Sequence, residues 1–153
     1  MSFESFEEII QFAAEKEKEA VVFYKDIAQQ APSAREREIL EGFAKEERKH
    51  QTLLEGFGKD KEKLSGYKFK WVPDIKRSNY IVDIKYEKGM DYVDLLRLAM
   101  KREEKSLKLY NELAEKTDKK ELIKLFKMLC QEEAGHKLKL ETIYDDYMAK
   151  QGD

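Results

Sequence analysis

From Ser5 to about Gln30, Phe6, Ile10, Ala13, Ala20, Tyr24 and Ile27 recur at alternating steps of four and three, the period of an amphipathic helix. Pro32 stops this helix, placed at residues 5–30. Ser33 followed by Glu36 has the form of a capping box and opens a second helix, 33–57, with a seam of Leu40, Phe43, Leu54 and Phe57 and a glycine exit at Gly56 and Gly58. After Gly89 the same grammar resumes. Asp91 is placed to cap a third helix, 91–116, with Met90 and Leu95 as a hydrophobic staple and Leu96, Ala99, Tyr110 and Leu113 as its seam. Asp118 with Glu121 repeats the capping signal for a fourth, 118–149, along Leu122, Phe126, Leu129, Leu140, Ile143 and Tyr147.

Short loops after the first and third helices make each pair antiparallel, whereas residues 58–90 must carry the chain across. The pattern therefore predicts an all-α antiparallel four-helix bundle with one long crossover, a single domain over residues 1–153. The crossover holds Tyr67, Phe69, Trp71, Val72, Tyr80, Ile81, Val82 and Ile84. It is too apolar for a free linker and is expected to pack along the bundle or a partner subunit.

Each seam is interrupted by polar residues: Glu17 in the first helix, Glu47 and His50 in the second, Glu103 in the third, Glu133 and His136 in the fourth. A buried carboxylate without compensating charge costs several kcal/mol, roughly, and the seams as read contain no lysine or arginine. Two divalent ions would balance the four carboxylates, with the histidines as neutral nitrogen ligands. Glu47 with His50 and Glu133 with His136 stand three apart, on one helical face, and these are the 2 histidines of the chain. An internal repeat picks out the same residues. Adding 86 to the residue number carries Glu17 onto Glu103, Tyr24 onto Tyr110, Glu47 onto Glu133 and His50 onto His136, and much of the apolar seam follows. Glu19 instead falls on Lys105, while Glu46 and Glu132 repeat but lie off the seam. Tyr24 and Tyr110 are placed either to hydrogen-bond ligand carboxylates or to fill the seam.

Composition narrows the chemistry further. The 153 residues include 41% charged residues, mixed in sign, with a net charge of -2, which argues against nucleic acid as a partner. No targeting segment and no stretch of about 20 apolar residues is apparent, so a soluble cytoplasmic protein without membrane attachment is expected. Cys130 is the single cysteine, excluding an internal disulfide, a thiolate-rich zinc site or a rubredoxin-type module. Oxygen and imidazole ligands suit iron or manganese, with zinc or cobalt able to enter during expression.

Glu17-x-x-Ala20-x-x-x-Tyr24 with Glu47-Arg48-Lys49-His50, then Glu103-x-x-Ser106-x-x-x-Tyr110 with Glu133-Ala134-Gly135-His136, resembles the ferritin-like di-iron carboxylate superfamily, and within it rubrerythrin-like proteins. The resemblance implies a ferritin-like bundle holding two irons, with Glu17 and Glu103 as mainly terminal ligands, Glu47 and Glu133 as bridges, and one histidine per ion. It also implies peroxide reduction with an external electron donor such as rubredoxin, and a homodimer. Two features depart from it: Ser106 stands where rubrerythrin has an additional carboxylate, and the rubredoxin domain is lacking. Ferroxidase activity on dioxygen, iron sequestration or delivery, and a structural or partner-binding helical module are the alternatives.

Overall fold

The computed structural model describes residues 5–57, 86–87 and 89–151. Four helices account for most of them: α1 Phe6–Ala28, α2 Ala34–Glu55, α3 Tyr92–Glu115 and α4 Lys120–Gln151, and no strand occurs among the described residues. The class is all-α. None of these helices is long and apolar enough to cross a membrane. The crossover from 58 to 85, with its aromatic residues, lies outside the described residues. The chain divides into two compact units, Met1–Tyr67 and Lys68–Asp153.

The first unit is a helical hairpin. Ser5 Oγ accepts from Glu8 N at 3.3 Å and Ser33 Oγ accepts from Glu36 N at 3.2 Å, so both helices begin at serines whose side chains satisfy an otherwise unpaired amide of the first turn. Ala13, Tyr24 and Ile27 on α1 and Leu40, Phe43 and Leu54 on α2 are buried, as the seam predicts. The buried stripe is wider than that seam. Ile9, Val21, Phe23 and Ala44 join it, because a helix packed in a globular interior hides more than the narrow a/d line of a coiled coil. Ile10, Ala20 and Phe57 are only half-buried. The Tyr24 ring sits 5.4 Å from Phe43, joining the last turn of α1 to α2, and 5.2 Å from its neighbour Phe23.

The second unit repeats the design with different ends. Tyr92 meets Tyr147 edge-on at 5.2 Å, Arg97 Nε donates to Tyr144 Oη at 3.2 Å, and Tyr110 stacks on Phe126 at 6.0 Å, which sets α3 antiparallel to α4. Leu96, Ala99, Leu113, Leu122, Leu129 and Leu140 are buried as expected, whereas Ile143 and Tyr147 are half-buried. Gly89 has φ +89°, a left-handed conformation suited to glycine, and shapes the turn into α3.

Two helix starts differ from the sequence reading. Asp91 occupies the N-cap position of α3, but its side chain accepts no capping hydrogen bond. The last helix begins at Lys120 rather than 118. There Thr117 Oγ1 accepts from Lys119 N at 3.2 Å, and the Lys119 carbonyl takes the first helical amides, Leu122 N at 3.1 Å and Ile123 N at 3.0 Å. Thr117 thus turns the chain before Asp118 can act as a cap, a competition that local side-chain bonding to backbone decides.

Candidate metal centre

Within the first hairpin, Glu17 projects from the middle of α1 and Glu47 and His50 from one face of α2, all buried. His50 Nδ1 stands 3.6 Å from Glu17 Oε2 and 4.0 Å from Glu47 Oε2. The second hairpin builds the same triad from Glu103 on α3 and Glu133 and His136 on α4, with His136 Nδ1 3.8 Å from Glu103 Oε1 and 3.7 Å from Glu133 Oε1. In each triad the potential ligand atoms lie within 4.8 Å of one another.

These separations are too long for good hydrogen bonds, which run to about 3.2 Å. They match the edges of a coordination sphere, since two ligand atoms held at about 2.1 Å from one ion stand roughly 3–4 Å apart. With carboxylates ionised and imidazole neutral, each triad carries a charge of about -2 in a place that water barely reaches, so a divalent cation fits both the geometry and the charge. The residues present therefore suit one transition-metal ion per triad. His50 is 3% exposed and His136 13%, so the second triad is the more open of two otherwise matched sets.

The neighbouring acids confirm the helical register. Glu46 is 42% exposed and pairs with Lys49 at 3.4 Å, whereas Glu47, one residue on, is 1% exposed. Glu19 pairs with Lys16 at 3.5 Å, and Glu104 pairs with Lys101 at 3.5 Å and Lys108 at 3.3 Å. Tyr24 and Tyr110, each seven residues after the first glutamate of its triad, are fully buried. Ser106 is half-buried, one turn after Glu103. A Cβ at Gly135 would meet nothing within 4 Å, so glycine is not required beside His136 for space. Cys130 is half-buried with Sγ 3.8 Å from the Leu107 carbonyl, and burial pushes its thiol up from the ordinary value, partly opposed by a hydrogen bond with Asn111.

One group contradicts the seam as read from sequence. Lys137 is buried, 4% exposed, with Nζ 3.3 Å from Oε1 of Glu141, itself 0% exposed. An interior cation is tolerated because a carboxylate one turn on matches it. Its repeat counterpart is the pair Gln51 and Glu55, joined at 2.6 Å on the exposed side of α2. The sequence carried no signal of this burial: Glu141 follows Lys137 by four residues, a spacing that surface ion pairs share.

Comparison with known proteins agrees with this construction. The rubrerythrin family model matches residues 8–144, a span that includes both triads. The chain belongs to the rubrerythrin family. It is also similar to the solved structure of a hypothetical protein from Pyrococcus furiosus, with 29% identity, 93% of this chain and 89% of that chain covered, and a TM-score of 0.66. A search of curated proteins returned no match. Family membership points to di-iron binding, and the paired triads supply buried carboxylate and histidine groups of the kind such binding needs.

Proposed function

We propose that each triad holds one iron ion, two per chain, and that the protein reduces hydrogen peroxide with electrons from an external donor. The observation that carries this reading is the doubling of the buried Glu, Glu, His set at an interval of 86 residues, with matched distances in both hairpins. When bound, two ferrous ions supply the two electrons that peroxide cleavage consumes. The chain's own part is to hold these ions by six side chains and to exclude bulk water with the packed residues of each hairpin, around Tyr24 in the first and around Tyr110 and Phe126 in the second. Glu17, Glu47 and His50 would hold one ion and Glu103, Glu133 and His136 the other. Manganese fits the same oxygen and nitrogen donors.

Over a full cycle, one hydrogen peroxide, two protons and two electrons yield two waters. The electrons come from two visits of a one-electron donor such as a rubredoxin, since a single cysteine cannot build an iron–sulfur or rubredoxin-type centre in this chain. A cytoplasmic homodimer is the setting we propose. Ser106, half-buried where the related enzymes carry an extra carboxylate, favours ferroxidase activity on dioxygen as the second reading.

The test is metal content and peroxide consumption of the protein loaded anaerobically with ferrous iron. Close to two irons per chain and oxidation by one equivalent of peroxide per site within seconds, faster than by dissolved oxygen, are expected. Oxygen reacting as fast as peroxide would favour the ferroxidase. Peroxide loss that persists in Glu17→Ala or Glu103→Ala protein with empty sites would place the activity elsewhere.

A further inference from the structure

The first hairpin carries a groove of about 540 Å³ between α1 and α2, floored by Val21 and Ala44 and rimmed by Lys25, Lys45 and Arg48. Both floor residues are buried, and all three cations are exposed. Among the described residues none of the three side chains makes an ion pair, and Glu41 is the sole acid of the lining, which leaves a local charge of about +2 on a protein of net charge -2. Next to the floor residue Val21, and one turn before the rim residue Lys25, Val22 is 62% exposed, an apolar side chain open to a partner.

The repeat provides an internal control. Adding 86 turns Lys25, Lys45 and Arg48 into Asn111, Gln131 and Ala134, Glu41 into Lys127, and Val22 into Lys108. The second hairpin has the same backbone design and the same ligand triad without the cationic rim, so neither helix pairing nor metal binding requires the rim. Its position also matters. Val21 follows Glu17 by four residues and Ala44 precedes Glu47 by three, so the floor lies about one helical turn, roughly 5 Å along each axis, from two ligand carboxylates.

We propose that this groove is the docking surface for an acidic electron-carrier protein, whose carboxylates meet Lys25, Lys45 and Arg48 while an apolar rim around its redox centre covers Val22. The inference rests on the peroxide-reducing reading for the donor's role. Each docking delivers one electron, so two reduced carriers are oxidised for every peroxide converted to two waters. A small, charge-steered contact of this kind forms and separates quickly, as a donor that must visit twice per turnover requires.

The experiment measures binding of a dye-labelled acidic rubredoxin to the full chain by fluorescence anisotropy, with the protein both iron-free and iron-loaded. Saturable binding that weakens as salt rises is expected. Lys25→Glu/Lys45→Glu should weaken it about tenfold or more, Lys25→Gln/Lys45→Gln by an intermediate factor, and Lys127→Glu on the other hairpin should leave it unchanged. Circular dichroism and iron content should match the parent in every variant. Absence of binding in the parent, or equal binding by the charge-reversed variant, overturns the proposal. So does tighter binding of a single-stranded oligonucleotide at this surface, or self-association in sedimentation that the same substitutions abolish, since either gives the groove a different occupant. Because binding needs neither iron nor peroxide, intact docking with no peroxide turnover would instead overturn the peroxide-reducing reading.

Discussion

Charge removal inside the triads should stabilise the metal-free protein and make it indifferent to metal. In each hairpin the two carboxylates offer oxygens within 4.8 Å of each other and of the histidine. At an effective dielectric constant of about 20, two full charges at that distance repel by about 3.5 kcal/mol, an upper figure that protonation and local hydration reduce. Replacing one carboxylate per hairpin, as in Glu47→Gln/Glu133→Gln, keeps volume and removes that repulsion. The metal-free variant should gain about 1–3 kcal/mol, or roughly 2–10 °C in melting temperature for a chain of this size. The parent behaves oppositely. Binding two ions at a hundred times their dissociation constants stabilises by about 2.7 kcal/mol each, so anaerobic ferrous iron should raise its melting temperature by about 10–20 °C. Differential scanning calorimetry of parent and variant, each with and without iron, gives four melting points whose order should cross. A variant less stable than the parent without metal, or a parent that binds iron with no rise in melting temperature, would refute the electrostatic reasoning.

Glu47→Ala should lower iron content far more than Glu46→Ala, measured by plasma emission after loading, because one points into the triad and the other pairs with Lys49 at the surface. Lys137→Met should destabilise by about 3 kcal/mol in urea titration by taking the ammonium from buried Glu141, whereas Lys137→Met/Glu141→Leu should restore most of the loss; equal losses would show that the pair is not coupled. Cys130 should resist thiol reagents at neutral pH, since its raised value keeps it protonated. Proton retention by the native state means that this contribution to stability is complete below the unfolded value, about 8.5, and is lost as pH rises through the folded one. Modification at pH 7 as fast as in denaturant would contradict this.

The four helices and the six candidate ligands were legible in the sequence because both obey local rules. Helical periodicity assigns a face to each residue, so Glu17, Glu47, Glu103 and Glu133, repeat-matched within the seams, separate from glutamates such as Glu19 and Glu46 on solvated faces. Serines at 5 and 33 announce helix starts because a cap acts within three residues. What the tertiary structure decided is what depends on distance through space. The widening of the stripe to Ile9, Val21 and Phe23 follows from how closely a neighbouring helix packs, and the seam could not show it. Thr117 rather than Asp118 turns the chain into α4, a choice between two capable side chains that the loop geometry makes. Lys137 reads from sequence as one more surface lysine of an i, i+4 pair. Only the folded hairpin shows that it and Glu141 share the interior, where the low dielectric binds each charge to the other. The groove beside Val21 belongs to the same class: its cations lie on two helices, and antiparallel packing brings Lys25 of α1 and Lys45 of α2 to the rim of one cleft.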